Sequence, residues 1–182
     1  MPSNSQLAEI ASDLIDDQVG IVRQAGVTPL EAGSPPFFHY WALAADTSAF
    51  SDQHNFAQGG GAADDRDRAL AKAVGEAVER YCAAIYTKDA LPLRPAAAAE
   101  LATVTPETFA LNSAAQYAEE NYWLVPFDRE TPARWTPAVD AITGDVSYVP
   151  AAMVHIPYFY EPGEPPIAQP ISTGLACHAS FE

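Results

Sequence analysis

Gln58–Tyr81 reads QGGGAADDRDRALAKAVGEAVERY, a glycine run followed by acids and bases at helical spacing. Lys72, Glu76, Glu79 and Arg80 recur three and four residues apart, so on a helix they share one face. Leu70, Val74, Ala77, Val78, Tyr81 and Ile85 make the opposite, apolar face. Two carboxylates between two cations on a rigid element suit a magnesium–phosphate site, with hard oxygen ligands for the metal and cations for phosphate. The same spacing also describes an ordinary solvated helix face, where each charge pair adds only about 0.2–0.5 kcal/mol.

The elements around this helix follow from local pattern. Ser5–Leu14 is a short amphipathic helix by the spacing of Leu7, Ile10 and Leu14, and Gly20–Arg23 leans to strand. Phe37–Ala45 (FFHYWALAA) follows Pro35-Pro36 and reads as a buried strand, with His39 a satisfied core residue inside it. Thr47–Gln58 is a polar loop and Gly59–Gly61 a flexible entry to the charged helix. Asp64, Asp65 and Asp67 suit that helix's positive end, and it is predicted to stop near Thr87–Asp89, before Pro92. Further on, Leu91–Ala99 is a loop, and Thr105-Pro106-Glu107 reads as a helix start. Tyr122–Val125 and Pro150–Val154 lean to strand, and Thr136–Asp140 with Asp145–Val149 form a hairpin about a Gly144-Asp145 turn. The whole predicts an α+β fold, a largely antiparallel sheet covered by helices on one face, as a single domain over residues 1–182.

Composition limits the partners. The 182 residues are 48% hydrophobic and 18% charged, which is globular, and 24 acids against 9 Lys and Arg give a formal charge of −15. That argues against nucleic-acid partners and anionic membranes, while a nucleotide site needs only local cations and a metal. No apolar run nears the ~20 residues of a membrane span, and the N-terminus lacks a secretory pattern, so a cytoplasmic location is expected. Cys82 and Cys177 make no metal or redox motif; Cys82 reads as a buried, inert thiol, and Cys177-His178 are too close in sequence to face each other as a catalytic pair.

The string AKAVGEAVERY resembles the first signature helix of the YcaO-domain family, (S/K)-A-x-x-E-A-x-E-R-Y. Pro170–Glu182, PISTGLACHASFE, resembles the family's S-(N/T)-G-L-A landmark, and Val19–Arg23 resembles its N-terminal G-I-V-R element. Trp135-Thr136-Pro137-Ala138 and Val149-Pro150-Ala151 are similar to its W-x-P-A and V-P-A segments. The resemblance implies ATP and Mg2+ as cofactors and activation of peptide backbone amides by O-phosphorylation. It implies cyclodehydration of Cys, Ser or Thr to azolines in a ribosomally made peptide. Position by position, it implies that Glu76 and Glu79 bind the metal. Arg80 holds phosphate or braces the acids, and Ser172, Thr173 and Gly174 lie near the nucleotide. Lys72 stands where many members carry Ser, and either meets phosphate or pairs with Glu76. No general base is identifiable. Expected partners are the precursor peptide, an E1-like or other protein delivering it, and a second copy in a homodimer.

The family's domain continues into a second acidic helix, E-A-x-x-x-G-x-x-E-x-x-E-R, beyond Glu182. The chain is therefore expected to be the N-terminal part of such a domain, active when full length and inactive alone. Thioamide formation with sulfide, or a non-catalytic interaction and assembly role, are the alternative readings.

Overall fold

Helix α1 (Asn4–Asp13) starts where Ser3 and Gln6 cap each other: the Ser3 hydroxyl accepts from the Gln6 N–H and the Gln6 side chain accepts from the Ser3 N–H. The computed structural model describes residues 3–98 and 100–176. These fall into two units that divide between Ile85 and Tyr86, with the segment from Ser172 belonging to the first.

In the first unit, strands β1 (Val22–Val27), β2 (Phe38–Ala44) and β3 (Gln58–Ala63) pair antiparallel in the order β1-β2-β3. Helix α2 (Arg66–Ala83) follows, with the Asp65 carboxylate accepting from the Arg68 N–H at 2.9 Å as its cap. Ala73, Val74 and Ala77 of α2 pack with Ala42 and Ala44 of β2, Val22 of β1 and Ala11 of α1 in one core. Both helices thus lie on one side of the sheet. Small residues dominate this core, which lets helix and sheet approach closely.

The glycine run is part of that approach, rather than the flexible entry expected. A Cβ on Gly59 would stand 2.6 Å from the Ala77 nitrogen, and one on Gly61 2.3 Å from the Ala69 oxygen. Only residues without a side chain let β3 lie this close to the helix backbone. Gly60, between them, faces the other way, where a Cβ would meet nothing nearer than Glu76 Oε2 at 3.8 Å. Nor is β2 a buried strand. Only Ala42 and Ala44 of it are buried, on the face that meets the helices, and Phe38 at its start is 40% exposed.

The second unit, Tyr86–Ile171, holds β4 (Leu93–Pro95), β5 (Pro132–Val139) and β6 (Val146–Pro150), again antiparallel in sequence order. The hairpin between β5 and β6 is as predicted, with Gly144 at φ 79° in its turn. Trp135, fully buried, packs with Ala133, Ile167 and Ala168 and donates from Nε1 to the Arg94 carbonyl at 2.8 Å. Beside it Arg134 donates to the Lys88 and Leu91 carbonyls and to Glu161, and approaches the buried Glu164 at 3.5 Å. Lys88 is bonded to the Phe159 carbonyl and lies 3.5 Å from Glu161. Two cations and two carboxylates lie together here, and the buried Glu164 also accepts from the Tyr158 hydroxyl, which is what makes its burial tolerable.

The α+β class holds: every strand ladder among the described residues is antiparallel. Local readings differ in places. Helix α2 ends at Ala83, short of the expected Thr87–Asp89, because Tyr86 and Lys88 are drawn into the second unit's core. Short 3-10 turns, Pro106–Thr108 and Ala151–Met153, replace an expected helix and strand, while α3 (Ala114–Tyr117) forms behind a Ser113–Gln116 capping box. Tyr122–Val125 is not a strand: the Val125 N–H bonds the loop carbonyl of Pro166 at 2.9 Å, and Trp123 is half exposed. Among the described residues no helix is long and apolar enough to cross a membrane.

Candidate functional site

Strand β3 is an edge strand, and an edge leaves every second N–H and C=O unpaired. Three side chains of α2 close that edge in order. Lys72 Nζ donates to the Ala62 carbonyl at 2.9 Å, Glu76 Oε2 accepts from the Gly60 N–H at 2.5 Å, and Arg80 Nη1 donates to the Gln58 carbonyl at 3.4 Å. The match is geometric: four helical residues rise about 6 Å and two strand residues about 6.8 Å, so rows 72-76-80 and 62-60-58 stay in step. Arg80 Nη2 also bonds Glu76 Oε1 at 2.6 Å. Of the two alternatives for Lys72, pairing with Glu76 is not what is found: its ammonium holds the strand through the Ala62 carbonyl.

Glu79 lies outside this row. Among the described residues no hydrogen bond or ion pair reaches its carboxylate. Burial pushes its pKa up, the Glu76 charge pushes the same way, and Arg80 opposes them. With Arg68, Lys72, Gly75 and Glu76 it lines a groove of about 360 Å³, closed on the far side by Leu7 of α1. Gly75 leaves the groove floor bare, since a Cβ there would meet nothing within 4 Å. A mid-helix glycine costs about 1 kcal/mol against alanine, so its presence is the sequence signal for this floor. Arg68 belongs to the same i, i+4 row as Lys72, Glu76 and Arg80, and could have been read with them.

Could this groove hold Mg2+ and phosphate? Magnesium takes one or two carboxylates and fills its other positions with water and phosphate oxygens. Glu76 and Glu79 supply the two carboxylates. Each Glu76 oxygen accepts one bond and keeps lone pairs free, while Gly60 and Arg80 hold its orientation, as outer partners of metal-binding carboxylates do. Arg68 and Lys72 bring positive charge to the same walls. The donor set fits. Among the described residues no cluster of three or more acidic, histidine or cysteine side chains converges on a metal position.

The other sequence candidates sit elsewhere. Ser172, Thr173 and Gly174 form a turn, closed by the Leu175 N–H on the Ser172 carbonyl at 3.0 Å, with Gly174 at φ 97°. The groove wall is drawn from α1 and α2 alone among the described residues. Cys82 is exposed rather than buried, because α2 turns that side outward near its end. Partial burial still raises its thiol pKa, so it remains protonated at neutral pH. Cys177-His178 lie outside the described residues.

His39 corrects a further expectation. It is half-buried, and its Nε2 is enclosed without a hydrogen-bond partner. It lines a second, larger cavity of about 630 Å³ with Trp41, Gly60, Glu76 and Arg80. Glu76 stands in the wall of both cavities.

An antiparallel α+β unit with paired acids on its one long helix, beside a glycine-rich edge strand, is an architecture able to present a hard cation. The family model described as YcaO cyclodehydratase, ATP- and Mg2+-binding, matches residues 60–182, and the chain belongs to that family. Among the solved structures that share its fold are the following two. A heterocyclase in complex with substrate and cofactor aligns with TM-score 0.66 at 21% identity, over 94% of this chain and 24% of that one. YcaO from Methanopyrus kandleri, bound with AMPPCP and Mg2+, aligns with TM-score 0.56 at 16% identity, over 96% of this chain and 38% of that one. The chain thus spans about a quarter of the first and under two fifths of the second. No curated protein sequence matches it.

Proposed function

We propose that the α1–α2 groove binds Mg2+ and ATP, and that the protein uses them to activate peptide backbone amides, leading to azolines from Cys, Ser or Thr in a ribosomally made peptide. Glu79 carries this reading. Its carboxylate is held beside a second one, partly desolvated and, among the described residues, without a hydrogen bond or ion pair, as a metal-binding carboxylate would be. Glu76 and Glu79 hold the metal, and Arg68 and Lys72 face the phosphates. Arg80 keeps Glu76 in place through its 2.6 Å bond rather than reaching the groove itself. When bound, ATP supplies the phosphoryl group that turns the amide oxygen into a leaving group, and Mg2+ offsets the phosphate charge. The chain's own residues contribute position and charge. Ser172, Thr173 and Gly174 are carried into this proposal on the family motif, as a turn near the nucleotide. The precursor peptide and a protein that delivers it are the partners this chemistry requires.

The experiment is a titration of the 15N-labelled chain with the non-hydrolysable analogue AMPPCP, with and without Mg2+. Shifts concentrated at Arg68–Glu79 that need the metal, and that Glu79→Gln removes, are expected. Metal-independent shifts, or shifts that persist in Glu79→Gln, would refute the assignment.

A further inference from the structure

We infer that the cavity bounded by His39, Trp41, Gly60 and Arg80 receives the peptide segment that bears the reacting amide; this rests on the nucleotide reading of the neighbouring groove. Three observations carry it.

The first is unmet hydrogen bonding. His39 Nε2 and Arg80 Nε are both enclosed in the wall of this cavity without a partner. A polar atom left so is destabilised relative to one that is bonded, and a ligand that supplies the partner recovers the difference. A peptide offers both kinds: a carbonyl oxygen for the Arg80 Nε–H, and an N–H, O–H or S–H for an imidazole nitrogen.

The second is charge. Arg80 is already neutralised by Glu76, and no other cation lines the cavity among the described residues. A phosphate entering here meets the Glu76 carboxylate with no surplus positive charge, whereas a peptide amide is neutral. The groove on the other side of Glu76 sets Arg68 and Lys72 against Glu76 and Glu79, so a bound Mg2+ gives it the surplus positive charge that phosphate needs. With one carboxylate rather than two, the His39 cavity holds no such metal pair and suits the neutral reactant.

The third is shape and place. Trp41 pairs across the sheet with Gly26 and Gly60, and a Cβ on Gly26 would lie 2.8 Å from its ring, so the indole lies flat over the strand. Gly60 leaves the neighbouring surface bare, its nearest would-be contact being Glu76 Oε2 at 3.8 Å. A flat aromatic wall beside bare backbone accommodates an extended peptide. Because Glu76 stands in both cavities, a peptide here lies next to the nucleotide groove, where an amide must be to take up a phosphoryl group.

The test uses Ac-Gly-Cys-Gly-NH2 as probe, with inorganic phosphate as the competing ligand, each followed by 15N spectra of the whole chain. Concentrations to about 10 mM are needed, since a ligand with two hydrogen bonds binds at millimolar strength. The expected result is peptide-dependent shifts of the Gly60 amide, the Arg80 Nε–H and the His39 ring nitrogens, without such shifts from phosphate. Gly60→Val, which puts a branched side chain into the cavity that Gly60 lines, should abolish them. His39→Ala should weaken binding several-fold. Phosphate moving these signals in place of peptide, peptide shifts confined to other residues, or no shifts at all would each overturn the inference. Should Gly60→Val unfold, the parent titration and His39→Ala decide alone. The AMPPCP titration reads the other cavity: its failure with the peptide shifts intact removes the nucleotide reading, and its success without them removes this one.

Discussion

Replacing Glu79 by Gln should change stability in opposite directions with and without ligand. Without Mg-nucleotide, Glu79 is a cost. Burial and the Glu76 charge raise its pKa, so the folded state favours the protonated form. A group shifted upward contributes stability at pH below the unfolded carboxylate value and loses it as pH rises through the folded one. At neutral pH that contribution is gone and like-charge repulsion at i, i+3 remains, about 0.2–0.5 kcal/mol. Glu79→Gln removes it, which for a chain of this size raises the melting temperature by about 0.5–2 °C. With nucleotide and Mg2+ at one hundred times their dissociation constant, the parent gains about 2.7 kcal/mol by mass action, or about 5–10 °C. The variant gains little, so the two melting curves exchange order. Glu76→Gln behaves differently: it puts an NH2 group against the Gly60 N–H or Arg80, and should be destabilising without ligand. With Glu76 33% and Arg80 27% exposed, solvent screening holds that cost to about 1 kcal/mol. Differential scanning fluorimetry at pH 7, repeated below pH 4, measures all of this. Glu79→Gln melting below the parent without ligand, or matching it with ligand, would refute the reasoning.

Gly61→Ala should lower stability by about 1–3 kcal/mol or more, since its Cβ meets helix backbone at 2.3 Å, whereas Gly60→Ala, with nothing nearer than 3.8 Å, stays within about 0.5 kcal/mol; urea unfolding separates them. Arg134→Met takes the donor from the Lys88 and Leu91 carbonyls and the nearby cation from the buried Glu164, and should cost about 3–5 kcal/mol in the same assay. The Arg134 hydrogen bond holds the Glu161 pKa below the ordinary carboxylate range, so its contribution is present above that range and lost as pH falls through the folded value. Glu161→Gln should therefore flatten the acid limb of the stability–pH curve, read by circular dichroism melts between pH 3 and 7.

Helix α2 and its charged face were legible because 3.6-residue periodicity is a local property, and the β5–β6 turn because Gly144 can take a positive φ at no cost. The pairing of acids at 76 and 79 needed only helical spacing. What each charge does was not legible. Lys72, Glu76, Glu79 and Arg80 look equivalent along the sequence, yet three of them close the edge of β3 while Glu79, among the described residues, makes no hydrogen bond or ion pair. That distinction depends on which strand edge lies beside the helix, a pairing of residues 58–62 with 72–80 that local propensity does not specify. The glycines likewise read as flexibility until the Ala69 and Ala77 backbones are found against them. His39 looked like core because apolar neighbours surround it in sequence, but a strand buries one face at a time, and its face is the uncovered one.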